Sequence, residues 1–132
     1  VREIKFRFWN TKNKIMYKNY CPNLVIDANG NVSELIHRET YLEWAGTVHT
    51  EHIIPLQYIG RKDKNGQEIY EGDIIKDGKG RALEVFWNEL LLMWWFLEAK
   101  DGDKYHVEHM YWEDIEVIGN IYENPELLEA AE

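Results

Sequence analysis

The chain has 132 residues, 45% of them hydrophobic and 14% aromatic, enough for one domain, or one domain with a substantial insertion, to bury a core without disulfides. Twenty-four acidic residues against 15 basic ones leave a formal charge of -9, a field that repels polyanions and argues against phosphate-driven nucleic-acid binding. The single Cys21 excludes an internal disulfide, no run reaches the ~20 apolar residues of a membrane span, and no signal pattern is visible, so the expectation is a soluble, cytoplasmic protein.

Residues 3–9 alternate with period two, placing Ile4, Phe6 and Phe8 on one face of a half-buried strand and Lys5, Arg7 and Trp9 on the other. Turn residues 10–14 then lead to a returning arm at Ile15-Met16-Tyr17. Trp9 could cover a partner's surface, but packing beneath a later segment is the preferred reading. A second hairpin joins Leu24-Val25-Ile26 to the run beginning at Val32, through Asn29-Gly30 with the positive φ angles of a tight turn. Between His37 and Ile53 the pattern weakens, and the expectation is irregular chain with one short helical turn at Tyr41, Leu42 and Trp44.

The central stretch, residues 55–75, is dense in turns. Gln57-Tyr58-Ile59 and Glu68-Ile69-Tyr70 flank a polar link ending in Asn65-Gly66, and Gly72-Asp73 precedes Ile74-Ile75. Further on, Lys76-Asp77-Gly78-Lys79-Gly80 turns into a strand over residues 81–87, and residues 90–97 are eight consecutive apolar side chains. That run predicts a strand apolar on both faces, whose Leu91, Met93, Trp95 and Leu97 form an oligomer interface. Asp101-Gly102-Asp103 turns the chain into Tyr105-His106-Val107, and residues 113–118 alternate again. Asn124 at the cap and Pro125 at the first helical position predict a short C-terminal helix docking through Leu127 and Leu128.

Several of these blocks carry a family resemblance. Gln57-Tyr58-Ile59-Gly60, Lys62-Asp63-Lys64-Asn65-Gly66 and Glu68-Ile69-Tyr70-Glu71-Gly72-Asp73-Ile74-Ile75 resemble the signature of the YopX family of phage and prophage proteins. The opening Arg2-Glu3-Ile4-Lys5-Phe6-Arg7 with Trp9 and Met16-Tyr17 resembles that family's start, and residues 116–127 resemble its close. Phe8, where the family commonly has a small alanine, and the strongly apolar run at 90–97 depart from its pattern. The resemblance implies a mainly β fold containing an SH3-like barrel, an origin in a phage or prophage, and no catalytic residues. The expected division is residues 1–54 as N-terminal hairpins and connector, and residues 55–132 as the barrel with its short helix.

Candidate chemistry is outweighed by structural roles. His49-Thr50-Glu51-His52 and His106-Val107-Glu108-His109 share a spacing that invites zinc, but the zinc-helix pattern needs histidines four apart, so no metal and no cofactor are expected. Asp63, Glu68, Glu71 and Asp73 crowd the centre, yet Asp63 and Asn65 suit turn hydrogen bonds and Asp73 suits the start of the next strand. Arg61, Lys62 and Lys64 beside Tyr58 and Tyr70 form a small basic cluster within a repulsive overall field, so nucleic acid is not the expected partner.

The sequence thus predicts a non-enzymatic β-rich binding or assembly module that self-associates and engages a bacterial host protein. The motif residues Trp9, Gln57, Tyr58, Asp63, Asn65, Gly66, Tyr70, Gly72 and Asp73 are its candidate binding positions. Two other classes remain open at this point: an acidic decoy occupying a host nucleic-acid-binding protein, and a metal-dependent enzyme built on the two histidine segments.

Overall fold

The structure is a computed structural model describing residues 2–18, 23–38, 43–98, 100–106 and 110–129, with backbone alone for residues 35–38 and 43–49. Its contacts divide the chain into two units, Phe6–Leu56 and the combination of Val1–Lys5 with Gln57–Glu132. The protein is mainly β, with antiparallel pairing throughout the described strands.

In the unit Phe6–Leu56, β1 (Phe6–Asn10) pairs with β2 (Ile15–Tyr17), setting Phe8 opposite Tyr17 and Trp9 opposite Met16. On its other side, β1 neighbours the start of β6 (Ile53–Lys62). A second sheet runs β3-β4-β5, built from Leu24–Ile26, Val32–Arg38 and Glu43–His49. Phe8, Val32 and Ile53 form the core, with Phe6, Tyr17, Leu24 and Ile26 packed against it.

Two sequence expectations fail in this unit. Arg7, Phe8, Trp9 and Asn10 are all buried, so β1 is covered on both faces rather than half-buried, and its alternation hides a second packed side. The expected irregular chain after His37 is instead strand pairing, and Trp44 and Gly46 lie in β5 rather than around a helical turn. Tyr41 and Leu42 lie outside the described residues. Aromatic and β-branched residues at 44, 47 and 48 suit a strand, and pairing with β4 decides the matter.

The second unit continues β6 into β7 (Glu68–Tyr70), then β8 (Asp73–Lys76), β9 (Ala82–Asn88), β10 (Met93–Glu98) and β11 (Lys104–His106). A 3₁₀ turn at Trp112–Asp114 leads into β12 (Glu116–Asn120) and α1 (Glu126–Glu129). The five-stranded order β11-β10-β9-β8-β12 is compatible with an SH3-like barrel. Ile69, Ile75, Leu83, Val85, Phe96 and Ile115 are almost fully enclosed at its core. The terminal helix forms as expected, with Leu127 and Leu128 half-buried. The Asn124 side chain, however, accepts from the Asn120 N–H. Gly119 makes this close approach possible, since a Cβ there would lie 2.6 Å from Asn124 Oδ1.

The apolar run 90–97 is not one strand. Asn88 Oδ1 accepts from the N–H groups of Leu90 and Leu91, and Leu92 takes a left-handed φ of 54°, so the strand starts only at Met93. Leu90, Leu91 and Leu92 are exposed by 89%, 52% and 71%, at the tip of the hairpin between β9 and β10. Phe96 points into the core, while Trp95 meets the His106 ring edge-on at 5.4 Å. Of the four expected interface positions, Met93, Trp95 and Leu97 alternate along β10, and Leu91 belongs to the turn.

One local device closes three hairpins. At Asp27, Asp63 and Asp77 the carboxylate Oδ1 accepts from the N–H groups two and four residues on, at 2.8–3.0 Å. In each, the backbone carbonyl of the aspartate also accepts from the glycine three residues later, and Gly30, Gly66 and Gly80 have φ between 80° and 83°. The second turn was expected to use positive φ at both Asn29 and Gly30, but only Gly30 adopts it. The extra residue makes the loop a type I turn closed by a bulge instead of a two-residue turn.

Candidate binding groove

The groove begins with a defect in pairing. Between Tyr58↔Tyr70 and Lys62↔Glu68, β6 has more residues than its partner β7, so Ile59-Gly60-Arg61 bulges out of the ladder. Gly60 takes φ of 93°, and a bulge of this kind bends the strand and redirects its side chains. Here it places Ile59 and Arg61 along a cavity of about 580 Å³, within the range of ligand pockets, roughly 300–1,000 Å³.

Tryptophans make up much of the remaining lining. Trp87 of β9 and Trp94 of β10 are cross-strand partners whose rings meet edge-on at 5.0 Å. Trp112, from the 3₁₀ turn, carries the Arg61 guanidinium 4.4 Å above its ring. Leu92 and Met93 border the cavity from the hairpin tip, and Arg2 contributes a second cation. Trp87 is 40% exposed, so the wall is open to solvent.

A smaller cavity of about 240 Å³ shares Arg2, Trp87 and Trp94 and adds Gln57 and Glu71. Burial pushes the Glu71 carboxyl above its ordinary value, against a hydrogen bond from the Gln57 backbone that acts the other way. The recess therefore combines aromatic faces, two guanidinium groups and one carboxyl. It can enclose an apolar side chain and offer charge-assisted donors to an anionic group beside it.

Most of the motif residues build the scaffold. Asp63 Oδ2 accepts from the Val117 N–H at 2.9 Å while Oδ1 serves Asn65 and Gln67, and the Lys64 N–H donates to the Ile115 carbonyl. Burial alone would raise the Asp63 pKa, but the N–H groups of Val117, Gln67 and Asn65, with Lys64 nearby, hold it below its ordinary value. Asp73 is buried and accepts from the Tyr70 N–H at 2.7 Å. Gly72 has φ of 84°, and Gly66 closes the Asp63 loop. Tyr58 is buried, with Tyr70 5.6 Å away and Lys5 over its ring. Asn65 is exposed on the loop, and Trp9 is buried in the other unit.

Of the nine candidate binding positions, Gln57 borders the smaller of these two cavities, and the other eight line neither. The groove residues Arg2, Ile59, Gly60, Trp87, Trp94 and Trp112 were not singled out as a site, although six tryptophans in 132 residues are a compositional signal for one.

The histidine segments do not assemble a centre among the described residues. His52 Nε2 lies 3.9 Å from Glu34, and His106 packs on Trp95. The side chains of His49 and His109 lie outside the described residues. The described carboxylates that come together are Glu98, Asp101 and Asp103 at one hairpin, with no histidine among them. No helix among the described residues is long and apolar enough to cross a membrane.

The family model described as YopX protein matches residues 5–129. The chain belongs to the YopX family. A crystal structure of protein EF1440 from Enterococcus faecalis is 27% identical, with a TM-score of 0.62, covering 97% of this chain and 99% of that one. The crystal structure of protein yopX from Bacillus subtilis is 22% identical, with a TM-score of 0.60 and coverage of 96% and 98%; it shares the fold. None of the curated proteins matches the chain. In this chain the motif's Asp63, Asn65 and Gly66 form a turn closure, and Asp63 also latches β12.

Proposed function

We propose that this YopX-family chain is a non-enzymatic binding and assembly module of phage or prophage origin, acting in the bacterial cytoplasm and engaging protein partners through the tryptophan groove. The observation that carries the reading is the open wall of Trp87 and Trp94 facing the bulged Arg61, beside a turn of three exposed leucines. Aromatic residues and arginine are the side chains most enriched where proteins bind one another. The non-enzymatic part is supported by Asp63 and Asp73, whose carboxylates accept from backbone amides and so serve the turns.

The test is affinity capture from bacterial lysate with wild type and a Trp87→Ser variant of unchanged melting temperature. The purified captured protein is then titrated directly. The reading predicts binding weakened at least tenfold by Trp87→Ser. A partner held equally by both proteins refutes the groove as the contact surface.

A further inference from the structure

The hairpin tip beside the groove has the chemistry that the groove would receive. Asn88 pins the backbone N–H groups of Leu90 and Leu91, and three consecutive leucines at this turn are exposed. The residue before them is Glu89, giving the exposed tip the sequence Glu-Leu-Leu-Leu. The groove offers the complement, tryptophan walls flanked by Arg2 and Arg61. The Arg61 guanidinium sits 4.4 Å from the Trp112 ring centroid, and a guanidinium held over an aromatic ring still has N–H groups to donate to a carboxylate.

Leu92 belongs to both features, since it is part of the tip and borders the cavity. The tip is therefore adjacent to its own groove and set to reach another molecule's. We propose that the groove's occupant is the residue 89–92 tip of a second copy of this chain, exchanged reciprocally across a two-fold axis near Leu92. Leu90 and Leu91 enter the groove alongside the paired rings of Trp87 and Trp94, and Glu89 meets Arg61 of the second copy. An isologous contact of this kind uses each surface twice and closes at two subunits. A specific interface needs roughly 1,000 Å² in total, and the reciprocal contact reaches it only by using both tips and both grooves.

This inference rests on the binding-module reading and deepens it, and its test separates the two. Sedimentation equilibrium of the full chain at 5–200 µM would compare wild type with Leu90→Ser/Leu91→Ser, with Arg61→Glu, and with the charge swap Glu89→Arg/Arg61→Glu, each checked for an unchanged circular dichroism spectrum. The leucines are exposed in the monomer, so their replacement leaves the fold intact. The expected result is a wild-type dimer, association weakened at least tenfold by the leucine pair and by Arg61→Glu, and recovery in the charge swap. A wild-type monomer at 200 µM overturns self-docking while leaving capture of another protein by the Trp87 surface to be judged separately. A dimer equally strong in every variant, or a swap no better than Arg61→Glu alone, also overturns it.

Discussion

Replacing Asp63 by asparagine tests the claim that this motif carboxylate is a latch. Its two oxygens accept three backbone N–H groups at 2.8–2.9 Å, from Asn65 and Gln67 within the loop and from Val117 across to β12. An amide has one acceptor oxygen, so Asp63→Asn either points its NH₂ at the Val117 N–H or turns it toward the loop. Leaving one buried N–H unpaired costs about 1–3 kcal/mol, and losing charge assistance on the others brings the total to about 2–3 kcal/mol. For a chain of this size that lowers the melting temperature by about 10 °C. The pH dependence is more diagnostic. Because the folded pKa lies below the unfolded value of 3.8, the carboxylate's contribution is fully present above about that pH and is lost as pH falls through the folded pKa. Urea denaturation of wild type and Asp63→Asn at pH 7, 5 and 2.5 should show a gap that is constant from 7 to 5 and shrinks at 2.5. A difference below about 0.5 kcal/mol at pH 7, or one that stays unchanged at pH 2.5, refutes the latch.

Gly72 and Gly66 separate backbone conformation from crowding. Both have φ near 80°, but a Cβ at Gly72 would lie 2.9 Å from Tyr122 Cε2 whereas one at Gly66 meets nothing. In thermal melts Gly66→Ala should cost about 1 kcal/mol and Gly72→Ala about 2 kcal/mol or more; equal losses would remove the crowding argument. Burial raises the Glu84 pKa, so ionised Glu84 is penalised above that folded value and indifferent below the ordinary 4.5. Glu84→Gln should therefore raise the melting temperature at pH 7 and lose its advantage at pH 3.5; a variant with no advantage at pH 7 would contradict the assignment. The Trp95 indole N–H is buried and has no hydrogen-bond partner among the described residues, so Trp95→Phe should cost less than about 1 kcal/mol by urea denaturation, and a larger loss would refute the orphaned N–H.

The sequence disclosed the turns because their chemistry is local. Asp63, Asn65 and Gly66 act within five residues, so side-chain type and spacing are sufficient to read the loop. The hairpin at 88–92 was harder, since Leu92 occupies a left-handed position usually given to Gly or Asn, and eight apolar residues in a row disguised the break after it. Residues 43–49 were misread because β5 gains its definition from pairing with β4 rather than from its own periodicity. The groove was least legible of all. It joins residues 2, 59–61, 87, 92–94 and 112, and the bulge that turns Arg61 toward Trp112 is a property of unequal strand lengths, which no single segment announces.

The three matching Asp-to-Gly closures also bear on the order of assembly. Each joins strands adjacent in the chain, β3 to β4, β6 to β7 and β8 to β9, and short hairpins of this kind form in about 1–10 µs. Pairing of β12 with β8 spans some forty residues and must wait for a slower, long-range search. Asp63 stands at the junction of these regimes, one oxygen serving the early hairpin and the other receiving the late-arriving strand. Refolding velocity should then respond to damage on the loop side of that carboxylate, whereas lesions at Val117 should mostly hasten the return to the unfolded chain.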